Sequence, residues 1–132
     1  MIVPDLRLLA THRLFDPLEP SVAEFFEVVG VDPVYTDMCR NQRCFRARLS
    51  AKPWHISMAA GFKPRPAAWP TPLERQSERA AWLHPYDQQA RAFAACRFEQ
   101  ALGHAVIDPA ITPVVQLHDD ASQVLHSDRP LA

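Results

Sequence analysis

Residues 39–54 read CRNQRCFRARLSAKPW. Within them the hydrophobic period changes. Phe45, Ala47 and Leu49 share one parity, and Cys44, Arg46, Arg48 and Ser50 share the other. Period two predicts a strand over 44–50 with its apolar side on a core. Lys52-Pro53 reads as a turn, after which Trp54, Ile56 and Met58 alternate with His55 and Ser57. That pattern predicts a second short strand hairpinned on the first. A third strand is expected over Asp5 to Phe15, where Leu6, Leu8, Ala10 and Leu14 alternate with Arg7, Thr11 and Arg13. His12 shares the apolar parity and reads as a core-edge histidine. The expected fold is therefore α+β: a small antiparallel sheet of two to three strands packed against about four helices.

The same stretch dominates the charge pattern. From Met38 to Leu73 there is no Asp or Glu, while Arg40, Arg43, Arg46, Arg48, Lys52, Lys63 and Arg65 give a formal charge of +7. Residues 1–37 carry −5 and residues 74–132 carry −3, so a total of −1 hides a basic middle between acidic flanks. Such an asymmetric field steers anions.

Bulk composition bounds the rest. The 132 residues, 48% hydrophobic and 22% charged, have globular rather than disordered composition and are one domain long. A single domain is expected over 1–126, with a frayed polar tail over 127–132. No apolar run reaches the roughly 18–20 residues of a membrane span, and the amino terminus does not read as a signal peptide. Three cysteines form no even disulfide set, which favours a reducing, cytoplasmic setting.

The helices are announced by their punctuation. Ser21 with Glu24 reads as a capping box, Val22, Phe25, Phe26 and Val29 as an apolar stripe, and Gly30 as a left-handed stop. Asp32-Pro33 opens a second helix that ends near Arg43. Residues 59–72 hold Pro64, Pro66, Pro70 and Pro72 and read as an extended loop. Thr71-Pro72 with Glu74 predicts a helix toward His84, where Pro85 ends or kinks it. A helix is then expected from Asp87 to Leu102, closed by Gly103. In it Arg97 falls on the apolar arc, paired with Asp119 or Asp120 or else hooked toward an anion. The last helix starts at Asp108-Pro109 or Thr112-Pro113, with Val114, Val115, His118, Ala121 and Leu125 as its stripe.

The candidate chemistry is anion binding. Arg43, Arg46, Arg48, Lys52, His55 and Arg97 are the proposed contacts, with Trp54 and Trp69 as stacking surfaces. Arg46 and Arg48 on one strand face would lie roughly 6.5–7 Å apart, a spacing suited to adjacent phosphates. The competing fate of these cations is pairing with the flanking acids. Cys39, Cys44 and Cys96 are potential thiolates. No histidine spacing completes a zinc site with them, so no metal or cofactor is expected. His118-Asp119-Asp120 lacks the further ligands a metal phosphohydrolase needs. Cys44 with His55 across the hairpin is a conceivable nucleophile pair without an activating feature. Three scattered glycines cannot form a phosphate loop.

The stretch 39–54 resembles the CRxQxCFRARLxxKPW signature of a family of uncharacterised bacterial proteins. The resemblance continues in LRLLATHRLFDP (6–17), YDQQARAFAACRF (86–98) and VVQLHDDA (114–121). It implies a whole-chain domain and carries over no activity and no catalytic residue. His55 stands where the signature leads one to expect arginine. The leading expectation is thus a non-enzymatic module that binds an anionic partner, a nucleic acid or an acidic protein surface. A small enzyme joining Arg46, Arg48, His55 and Arg97 competes with it, as does a homodimer built through the proline-rich loop.

Overall fold

The computed structural model describes residues 6–58, 61–63 and 70–132. The chain forms two compact units, Met1–Ala47 with Ala101–Gln116, and Arg48–Gln100 with Leu117–Ala132. Among the described residues there are four α-helices: α1 (Pro20–Val29), α2 (Pro33–Gln42), α3 (Gln76–Ala90) and α4 (Thr112–Ser122). Two 3-10 turns, Pro53–Ile56 and Leu73–Arg75, complete the regular structure. No strand forms among them. One isolated parallel bridge, Ala94 with Leu131, is the β content of the described residues. The fold is helical, and the expected antiparallel sheet is overturned.

The reason the sheet fails is local. At 44–50 the backbone of Arg46 is satisfied by a side chain: Tyr35 Oη donates to its carbonyl at 2.9 Å and accepts from its N–H at 3.2 Å. Arg48 turns its guanidinium back onto the carbonyls of Ser50 and Ala51, at 2.9 and 3.5 Å. These local bonds occupy groups that a ladder would use. Residues 53–56 coil into a 3-10 turn because Pro53 sets the first φ and Ile56 drops into the core at 1% exposure. The first expected strand also dissolves. Leu6, Leu8 and Leu14 are exposed, and Thr11 contributes its carbonyl to Asp108 N–H at 2.8 Å.

In the first unit, α1 begins one residue before the expected cap. Glu19 is its N-cap and Pro20 its first residue, so Ser21 lies inside the helix and makes no capping box. Its hydroxyl donates to Glu19 Oε2 at 3.2 Å instead. Gly30 ends α1 at φ 68°, with the Gly30 and Val31 N–H groups returning to Glu27 and Phe26. α2 starts as read, with Asp32 Oδ1 accepting from Val34 N–H at 2.9 Å. It stops at Arg43, whose φ of 49° is left-handed. Phe26 packs against Tyr35 and edge-on to Phe45, at 6.0 and 6.3 Å between ring centres, and Val22 and Cys39 are buried.

In the second unit the core is Ala51, Ile56 and Tyr86, with Met58, Trp82, Leu83, Ala90, Phe93 and Ala132 packed on it. Pro85 sits inside α3 without ending it. The lost ladder bond is offset by docking: Trp82 stacks on Tyr86 at 5.0 Å, and Tyr86 Oη donates to Ala51 O at 2.8 Å. The Thr71–Glu74 capping box is not formed. Thr71 Oγ1 is buried without a partner among the described residues, and a 3-10 turn leads into α3.

The helix expected from Asp87 to Leu102 is formed only to Ala90, where α3 ends. The backbone beyond it is bonded elsewhere. Ala94 N–H donates to Pro130 O at 2.9 Å, Ala132 N–H to Ala94 O at 3.0 Å, Ala95 N–H to Ser122 O at 2.9 Å, and Phe98 N–H to Val124 O at 3.3 Å. α4 starts at Thr112 and closes at Gln123, which is left-handed at φ 57°. Its buried face carries His118 and Ser122, while Val114 and Leu125 of the expected stripe are exposed.

Candidate functional site

The first unit holds two of the proposed anion contacts. Arg43 is exposed at the end of α2, where its left-handed backbone closes the helix through Arg43 N–H to Arg40 O and Cys44 N–H to Cys39 O. Arg46 is exposed with its backbone anchored on Tyr35, and Phe45 beside it is 43% exposed. Burial pushes the Tyr35 hydroxyl above its ordinary range, against the opposing effect of the Arg46 backbone.

The second unit holds the others. Arg48 is exposed and spends donors on two carbonyls of its own loop. Lys52 is half-buried where the 3-10 turn begins. Trp54 is 59% exposed and lies edge-on to His55, 6.0 Å between ring centres. His55 is half-buried, and its Nδ1 is buried with no partner among the described residues. Arg97 is exposed and donates Nη2 to Arg129 O at 3.2 Å. It belongs to no helix, so the apolar arc expected around it does not exist, nor does a pair with Asp119 or Asp120. Trp69 and Arg65 lie outside the described residues. The expected strand face that would align Arg46 and Arg48 is gone.

Among the described residues the Lys/Arg–carboxylate pairs are Arg13–Glu19 at 2.7 Å and Arg75–Glu78 at 3.0 Å. Neither involves Arg40, Arg43, Arg46, Arg48, Lys52, Lys63 or Arg97. Arg13 grips both oxygens of Glu19, which also accepts from Asp16 N–H at 2.9 Å. Those donors hold the Glu19 carboxyl at about 2, well below its ordinary 4.5.

Two clefts open in the second unit. One, about 240 Å³, lies among Ala51, Tyr86, Asp87, Ala90, Arg91 and Phe93. The other, about 300 Å³, lies among Thr71, Gln76, Arg79 and Leu83. None of Arg48, Lys52, His55 and Arg97 lines either, so neither cleft is the arginine and histidine pocket that the small-enzyme reading requires. Among the described residues no group of three or more His, Cys, Asp or Glu side chains could hold a metal ion.

One constellation escaped the sequence reading. Cys96 Sγ lies 3.9 Å from His118 Nε2, and His118 Nδ1 lies 2.9 Å from Asp119 Oδ1. His118 is buried at 6%, and Cys96 is half-buried. Twenty-two residues separate thiol and imidazole, and no local pattern joins them. Only the pairing of 94–98 with the chain beyond α4 brings them together.

Comparison with family models, curated proteins and solved structures finds no match for this chain. Among the described residues no helix is long and apolar enough to cross a membrane.

Proposed function

We propose that the chain is a binding module for an anionic polymer, single-stranded nucleic acid in particular, engaged by the basic segment from Arg40 to Lys63. The supporting observation is that none of the described cations of this segment is paired with a carboxylate among the described residues. Arg48 spends donors on the carbonyls of Ser50 and Ala51, but a surface guanidinium without a carboxylate partner still carries its full charge to a phosphate. Phe45 and Trp54 are exposed and interleave with those cations along the sequence, which suits stacking on unpaired bases better than contact with an acidic protein surface. A single strand can follow the segment without a preformed groove. Trp69 enters this reading from the sequence alone.

The test is binding of a fluorescent single-stranded oligonucleotide as salt rises. Five phosphate contacts give a log–log slope of about −3.5, hence about a hundredfold loss of affinity between about 50 and about 200 mM salt. A flat response removes the proposal.

A homodimer is the second reading, on a different observation. On α1, Phe25, Val28 and Val29 are 45%, 84% and 39% exposed at positions i, i+3 and i+4, an uncovered apolar stripe. Sedimentation of the full chain at twice the monomer mass, lost on Val28→Asp, is the expected result. A monomer at every concentration refutes it.

A further inference from the structure

We propose that Cys96 is a nucleophilic thiol with His118 as its base and Asp119 as the residue that orients the imidazole, and that its substrate class is an activated acyl group, an ester or a thioester. The inference is independent of the nucleic-acid reading and uses none of its residues.

Three features carry it. The first is the order of contacts. With Asp119 Oδ1 accepting from Nδ1, the neutral imidazole keeps its proton there and presents Nε2 as the acceptor. That acceptor faces Cys96 Sγ at 3.9 Å, long for a hydrogen bond but within the range seen between catalytic groups before substrate binds. Nucleophile, base and orienter thus stand in sequence. The second is rigidity. The thiol sits in a segment whose backbone is bonded at Ala94, Ala95 and Phe98, while Arg97 donates its guanidinium to Arg129 O. His118 is held on α4 at 6% exposure. The third is access. Cys96 is half-buried, unlike Cys39 at 2%, so an electrophile can reach it.

The chemistry balances within the trio. Cys96 passes its thiol proton to His118 Nε2, and the imidazolium is steadied by Asp119. The thiolate attacks the acyl carbonyl carbon and a C–S bond forms. The C–O or C–S bond to the leaving group breaks, and the leaving group takes the proton from Nε2. Water, deprotonated by the same nitrogen, then cleaves the acyl-thioester and restores the thiol. Disulfide chemistry fits less well, because the second unit contains no other cysteine to resolve a mixed disulfide.

The full-length chain is incubated with p-nitrophenyl acetate, and separately with iodoacetamide, and labelled peptides are mapped by mass spectrometry. Cys44, also half-buried, is the internal reference. The expected result is acetyl on Cys96, with alkylation of Cys96 about tenfold or more faster than of Cys44 near neutral pH. His118→Gln brings the two cysteines to the same rate. Asp119→Asn, at a half-exposed position, lowers the Cys96 rate and changes its pH profile while leaving Cys44 unaltered. Cys96→Ser abolishes p-nitrophenolate release. If His118→Gln unfolds the chain by circular dichroism, the wild-type ratio decides, since the advantage of Cys96 must vanish in urea. Equal rates for Cys96 and Cys44 in the native chain, with no acetyl on Cys96, overturn the proposal.

Discussion

Arg43→Gly separates the structural role of Arg43 from its charge. Arg43 closes α2 at φ 49°, a region that costs a residue with a Cβ about 1–2 kcal/mol and costs glycine almost nothing. Against this, glycine gives the unfolded chain about 0.5–1 kcal/mol of extra conformational entropy. The difference leaves Arg43→Gly about 0.5–1 kcal/mol more stable, a rise of about 2–4 °C in Tm for a chain of this size. Arg43→Ala removes the same charge and keeps the Cβ, so its stability stays within about 0.5 kcal/mol of the parent. The assay is urea and thermal unfolding of all three proteins, read beside oligonucleotide affinity across salt. Both variants should lose the same increment of salt slope, about 0.7 for one phosphate contact. Equal stability of the Gly and Ala variants would refute the left-handed cap. An unchanged slope in both would remove Arg43 from the binding surface.

Three further tests address other parts of the chain. Glu19 titrates at about 2 instead of 4.5, so its folded value lies below its unfolded one. Its contribution is complete above 4.5 and disappears as pH falls toward 2; the urea midpoint should drop through that window, and Glu19→Gln should flatten part of the drop. Ile56→Ala empties a site that is 1% exposed and should cost about 2–4 kcal/mol by urea unfolding, whereas a cost under about 1 kcal/mol would mean that Ile56 is not central to the second unit's core. Ser122→Ala deletes a fully buried hydroxyl without a partner among the described residues, so stability should hold or rise by up to about 1 kcal/mol; a loss above about 1 kcal/mol would reveal a bond to Oγ.

Some helix punctuation was legible in the sequence, although neither capping box formed, and long-range pairing was not. Gly30 and Asp32-Pro33 mark helix ends because caps act within a few residues, and of the two starts expected for the last helix the structure takes Thr112. Period two at 44–50 misled because alternation needs a partner strand, and here Tyr35, eleven residues upstream, satisfies Arg46 instead. Of the two outcomes expected at Pro85, ending the helix did not occur, because the interior proline's cost is offset by Trp82 and Tyr86 docking on the core. Arg97 misled for a different reason. Its helix was inferred from spacing, but the N–H groups of Ala94, Ala95 and Phe98 are bonded to the far end of the chain. On the site, composition left two fates open for the basic segment, an external anion or pairing with the flanking acids; among the described residues no Lys/Arg–carboxylate pair involves that segment's described cations. Their spatial arrangement could not be read without the backbone.

The two proposed activities rest on different physics. A charge run is visible in sequence because it is additive: each arginine counts wherever the chain places it. Its physical effect is correspondingly diffuse, screened within about 8 Å at physiological salt and spread over exposed side chains. The Cys96–His118–Asp119 trio is the reverse. It depends on contacts of 3.9 and 2.9 Å between residues that composition treats as unremarkable, and buried imidazole makes it sensitive to small displacements. Binding should therefore weaken gradually as Arg40, Arg43, Arg46 and Lys52 are removed one at a time. Thiol reactivity should instead fall sharply with His118 alone. Steep loss of nucleic-acid affinity from a single cation would argue for a shaped pocket and against a segment read by its charge.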